Sequence, residues 1–69
     1  MMEFKLENGE YIELNKLLKT MSLIESGGMA KQIILDELVL VNNEVETRIR
    51  KKLRVGDVVE FDGNKVKII

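Results

Sequence analysis

Leu14-Asn15-Lys16-Leu17-Leu18-Lys19-Thr20-Met21, followed after four residues by Ser26-Gly27-Gly28-Met29-Ala30-Lys31-Gln32-Ile33-Ile34, is the stretch whose reading decides the fold. Leu14, Leu17, Leu18 and Met21 recur at steps of three and four, which places them on one face of a helix and leaves Lys16, Lys19 and Thr20 outside it. Ser26 then predicts the start of a second helix, because its hydroxyl can accept a bond from a free N–H of the next turn. Ala30, Ile33, Ile34 and Leu38 form the second apolar stripe, with Lys31, Gln32 and Asp36 on the polar side. Two short helices joined by a few residues follow from this, a helix-turn-helix-like pair.

Outward from the helices the period changes to two. On the N-terminal side, Glu3-Phe4-Lys5-Leu6 and Tyr11-Ile12-Glu13-Leu14 flank Asn8-Gly9, a dipeptide suited to a tight hairpin turn, and a hairpin is expected there. On the C-terminal side, Val39-Leu40-Val41 predicts a strand, Asn42-Asn43 a turn, and Glu44-Val45-Glu46-Thr47 a return strand, since Asn tolerates left-handed backbone. A basic loop comes next. Val55-Gly56-Asp57 then breaks the chain, and Val58 to Phe61 and Lys65 to Ile69 form a hairpin about Asp62-Gly63. The order is that of an α+β domain: two short helices packed on a small antiparallel sheet, one domain spanning residues 1–69.

Composition limits the chemistry. The 69 residues include no His and no Cys, so catalytic triads, cysteine nucleophiles, imidazole bases and zinc sites of the usual ligand types are excluded. A chain of about 70 residues has a thin core and little room for a substrate pocket of roughly 300 Å³ or more. No enzyme activity, cofactor, metal or small-molecule substrate is expected. The N-terminus carries Glu3 where a secretory signal would be basic, and no apolar run approaches the ~18 residues that span a bilayer, so a cytoplasmic protein without a membrane partner is expected.

Eleven Lys and Arg against twelve Asp and Glu give a net charge of −1, but the charge is unevenly spread. Residues 1–46 hold four basic and nine acidic residues, net −5, whereas residues 47–69 hold seven basic and three acidic, net +4. Five of the seven residues from Arg48 to Arg54 are cationic: Arg48, Arg50, Lys51, Lys52 and Arg54. That density needs water or a polyanion around it, so the run is either a solvated loop or a nucleic-acid contact. Gly27 and Gly28 pose a similar choice. Glycine in a first turn lowers helix propensity by about 1 kcal/mol relative to Ala. Either it lets the helices approach closely, or it bares N–H groups that hold a phosphate at the positive end of the helix dipole.

Leu14-Asn15-Lys16-Leu17-Leu18, Ser26 with Ala30 and Ile34, Val39 to Val45 around Val41-Asn42-Asn43, and Val55-Gly56-Asp57-Val58 occur in an order that resembles a known family. It is the RNA-binding domain named after ribosomal small-subunit protein S4, also called the alpha-L domain, and the likeness covers about residues 12–63. Gly27-Gly28-Met29-Ala30-Lys31 and the stretch from Val45 to Leu53 look most like the small stand-alone bacterial proteins called YaaA-like. There are departures: Glu13 stands where Arg is usual, Asn15 for Asp, Asn43 for Gly and Val55 for Pro. The first weakens the case for a phosphate contact at the start of helix one.

The resemblance implies binding of structured RNA, ribosomal or transfer RNA, and a role in ribosome assembly or translation, with the ribosome or an assembly intermediate as partner. By position it assigns the RNA face to Ser26, Gly27, Gly28, Lys31, Asn42 and Asn43, with Arg48, Arg50, Lys51, Lys52 and Arg54 adding a diffuse positive field. Tyr11, Phe4 and Phe61, all in apparent strands, are expected to be buried rather than to stack on bases, so the RNA would be read by shape and backbone. Two rivals remain: an adaptor that docks a basic partner through the acidic half, and a diverged domain whose RNA face is lost. The RNA reading requires Lys31, Arg48, Arg50, Lys51 and Lys52 on one side with Asn42.

Overall fold

The computed structural model describes residues 1–7 and 10–69. The elements in chain order are β1 (Met2–Phe4), β2 (Ile12–Glu13), α1 (Leu14–Thr20), α2 (Gly27–Leu35), β3 (Val39–Val41), β4 (Glu44–Val45), β5 (Lys52–Leu53), β6 (Val58–Phe61) and β7 (Asn64–Ile68). No helix among the described residues is long and apolar enough to cross a membrane.

Both helices form where the three-and-four spacing predicts. Leu14, Leu17 and Leu18 of α1 and Ala30 and Ile34 of α2 are buried against each other and the sheet. Ser26 caps α2, its Oγ accepting from Met29 N–H at 3.2 Å. α1 lacks a side-chain cap, and carbonyls of the basic segment serve its first N–H groups instead: Leu14 N–H donates to Lys51 at 2.9 Å and Asn15 N–H to Ile49 at 3.1 Å. Each helix ends in a left-handed residue, Ser22 (φ 59°) or Glu37 (φ 62°). The next N–H reaches back five residues, Leu23 to Leu18 and Leu38 to Ile33, which satisfies otherwise free carbonyls. Leu38 is not the end of the α2 stripe: it lies beyond this stop and is 55% exposed.

The main sheet has the order β1-β7-β6-β3-β4, antiparallel except that β1 runs parallel to β7. Two turns with paired positive φ, Asn42-Asn43 and Asp62-Gly63, close the β3–β4 and β6–β7 hairpins as expected. Val39, Val41, Val59, Val66 and Ile68 face the helices from this sheet. The architecture is α+β, two helices packed on a mixed, mainly antiparallel sheet.

The N-terminal hairpin does not form. Its first strand pairs Met2 with Val66 and Phe4 with Ile68, while its second pairs Ile12 with Leu53 and Glu13 with Lys52 in a separate two-stranded sheet. The Asn8-Gly9 turn lies outside the described residues. An isolated two-stranded hairpin is marginal in water, whereas β1 gains ladder bonds to an existing sheet and packs Met2 and Phe4 on the core. The basic segment is likewise not all loop. Leu53 is wholly buried, and its burial turns Lys52–Leu53 into β5.

Candidate nucleic-acid interface

The basic segment is shaped from both ends. At its start Glu46, a residue 9% exposed, holds Arg48 through its carboxylate: Oε2 accepts from the Arg48 backbone N–H at 3.0 Å and from Nε at 2.8 Å, and Oε1 accepts from Nη2 at 3.1 Å. The Arg48 hydrogen bonds keep Glu46 below the ordinary carboxylate range, and the same bond to Glu46 raises the Arg48 pKa. The Arg48 side chain still presents 70% of its surface to solvent. At the far end Asp57 Oδ2 accepts from Arg54 N–H at 2.8 Å. Between these anchors Ile49 packs on the core and Leu53 points inward. Strand alternation at β5 leaves Lys52 and Arg54 outward. Arg48, Arg50, Lys51, Lys52 and Arg54 therefore line one open concavity of about 460 Å³.

Asn42 and Asn43 adjoin this surface. Asn42 lines a groove with Glu44, Thr47, Arg48 and Lys51, so two of the cations are common to both depressions. The Asn42 side chain is engaged within the protein: its Nδ2 donates to Asp57 Oδ1 at 3.0 Å and its Oδ1 accepts from Val58 N–H at 2.9 Å. Asn42 positions the turn, and Asn43, exposed at φ 68°, is the residue the turn presents. The Val55-Gly56-Asp57 motif is the other half of this clamp. Gly56 takes φ 100°, a conformation glycine adopts freely, and its N–H donates to Ile68 at 2.8 Å.

The start of α2 lies at a third depression. Gly27 lines it with Ile12, Asn15, Lys16, Lys19 and Thr20, and Ser26, Gly28 and Lys31 are exposed nearby in sequence. Close helix packing does not require the two glycines. Among the described residues a Cβ on Gly27 would meet nothing within 4 Å, and one on Gly28 only Ser26 Oγ at 3.9 Å. Asn15 Oδ1 is buried here without a hydrogen-bond partner among the described residues. The bonds from Leu14 and Asn15 to Lys51 and Ile49 join the α1 end of this depression to the basic segment.

The structure thus gathers Asn42, Arg48, Arg50, Lys51, Lys52 and Arg54, while Lys31 lines none of these three depressions. Lys16 and Lys19 also line the third depression. Their sequence positions read only as the polar side of α1, and it is helix packing that brings them beside Gly27. Of the three aromatics expected to be buried, Phe4 and Phe61 are partly buried and pack against the core, whereas Tyr11 is 41% exposed. Tyr11 precedes β2, and Lys52 Nζ and Arg54 Cζ lie 4.9 and 5.5 Å from its ring centre.

A family model described as the S4 domain matches residues 4–69. A Bacillus subtilis (strain 168) protein named "Probable ribosome maturation protein RlbA" is 50% identical over 54 residues, covering 78% of this chain and 76% of that protein. YbcJ of Escherichia coli (strain K12) is 39% identical over 69 residues, covering 100% of this chain and 99% of that protein. A solution structure of E. coli YbcJ, described as revealing an alpha-L motif involved in RNA binding, matches with a TM-score of 0.76, covering 100% of this chain and 87% of that one.

Proposed function

The chain belongs to the S4 domain family, and on that premise we propose that it is a non-catalytic RNA-binding protein. The observation that carries this reading is the convergence of Arg48, Arg50, Lys51, Lys52 and Arg54 on one open concavity, beside the Asn42-Asn43 turn. Cations so placed follow a phosphate backbone. Each phosphate neutralised releases condensed counterions, which makes the binding strong at low salt and weak at high salt. Ser26, Gly27 and Gly28 offer helix-start N–H groups to a further phosphate, and Asn43 adds a contact at its turn; Lys31, which lines none of the three depressions, is the one cation of the expected set left outside them. Among the described residues nothing sterically demands glycine at 27 and 28, which favours this use of the bare backbone.

The target is structured ribosomal or transfer RNA, met in the cytoplasm during ribosome assembly or translation, and residues 1–69 act as a single domain. The name of the B. subtilis relative and the motif described for YbcJ support this direction. The test is binding to ribosomal RNA fragments across a salt series. Affinity is expected to fall steeply with salt, and Arg50→Glu with Lys51→Glu should reduce the log–log slope by about one per lost phosphate contact. Salt-insensitive binding, or an unaltered slope in the double variant, would refute the reading. Capture of a basic protein partner in place of RNA would favour the acidic half as the working surface.

A further inference from the structure

Tyr11 stands apart from the phosphate contacts on which the RNA reading rests. A single exposed tyrosine is ordinary on a protein surface; the surroundings of this one are not. The register that sets Ile12 opposite Leu53 brings Tyr11 across from Arg54, with Lys52 two residues away on the same side of β5. Both cations lie at cation–π distance from the ring, 4.9 and 5.5 Å, and both also line the cationic concavity. Tyr11 also lines a second depression, of about 410 Å³, together with the apolar Phe4, Leu6 and Ile12 and the charged Lys5, Glu7 and Glu10. The ring therefore lies between a cationic concavity and a depression with an apolar part.

From this arrangement we propose that Tyr11 is a stacking platform for an unpaired RNA base. The base lies against the ring over Phe4, Leu6 and Ile12, and the adjoining phosphates rest on Lys52 and Arg54. A nucleotide carries its base and its charge one sugar apart, which is the scale of the ring-to-cation distances. Glu7 and Glu10 outnumber Lys5 in this depression, whereas the concavity on the other side is lined by five cations, so the backbone is drawn to the cationic side. Aromatic stacking tolerates any base, so the platform selects an unstacked nucleotide, a bulge or a loop, rather than a sequence. The proposal rests on the RNA-binding reading and narrows it to RNA with a splayed-out base.

Tyr11 is the only tyrosine and the chain has no tryptophan, so intrinsic fluorescence reports on this ring. The probes are a short mixed-sequence single-stranded RNA and a blunt RNA duplex of equal charge, with binding followed independently by anisotropy of the labelled RNA. Saturating single strand is expected to quench the tyrosine, and the duplex to leave it bright. Tyr11→Leu should weaken single-strand binding by about tenfold or more at an unaltered salt slope, and Tyr11→Phe should restore it. Salt-dependent binding by the wild type without quenching, or equal affinity in Tyr11→Leu, overturns the platform and leaves the RNA reading standing. Failure of the wild type to bind either probe overturns the platform, and failure to bind the ribosomal RNA fragments as well overturns both. A polyglutamate peptide that competes as well as the RNA assigns the ring to a protein partner and also overturns the platform. If Tyr11→Leu does not fold, wild-type quenching decides.

Discussion

The Glu46 carboxylate accepts three hydrogen bonds from a single residue, Arg48, two from the guanidinium and one from the backbone. This makes Glu46, acidic and nearly enclosed, the anchor of the most basic part of the chain. Its pKa is lowered by the Arg48 hydrogen bonds, so the folded-state value lies below the unfolded one. A group of this kind contributes stability in full above the ordinary carboxylate range and loses it as pH falls through the depressed value. Thermal unfolding of Glu46→Gln and wild type across a pH series should therefore give a lower melting temperature for the variant at neutral pH, and a gap that closes on acidification. A constant gap would assign the loss to packing rather than to charge. The spacing Glu46-Thr47-Arg48 puts both side chains on one face of an extended segment, but it does not announce a carboxylate that also takes the Arg48 backbone N–H, which needs the chain to turn. That turn comes where the chain leaves β4.

α2 is the element on which stability and binding are expected to part. Its apolar stripe and Ser26 cap are local features, readable from three- and four-residue spacing, and the structure reproduces the cap and the stripe as far as Ile34, though not at Leu38. The choice between two roles for Gly27 and Gly28 could not be made at that level. It depends on what a Cβ would meet across the turn, and among the described residues it meets almost nothing. Gly27→Ala and Gly28→Ala should accordingly stabilise the fold, each by about 0.4–1 kcal/mol, because alanine loses less backbone entropy on folding. RNA affinity should drop in the same variants if the first-turn N–H groups receive a phosphate. Urea denaturation and RNA titration on the same samples check the two signs; tighter folding with undiminished affinity would remove the α2 start from the interface.

At the scale of the molecule, binding and folding meet at Leu53. It is wholly buried, pairs with Ile12 across the small sheet and sits between Lys52 and Arg54, so one apolar residue in a cationic run orients its neighbours. Leu53→Ala should cost about 2–5 kcal/mol by urea denaturation, a large share of the roughly 5–15 kcal/mol typical of a native protein. Where the variant remains folded, its RNA affinity should also fall, as Lys52 and Arg54 lose their fixed direction. A loss under 1 kcal/mol would contradict the burial on which the account of β5 rests. The amino-acid sequence alone determined the two helices, the Ser26 cap, the Asn42-Asn43 and Asp62-Gly63 turns and the uneven charge, because each depends on residues within a few positions of one another. Tertiary structure decided the partners of β1 and β2, the junction of the basic segment with the start of α1, the place of Lys16 and Lys19 and the exposure of Tyr11. Strand pairing is a competition among all available edges, and a side chain's exposure depends on what distant segments leave uncovered; neither is written in local spacing.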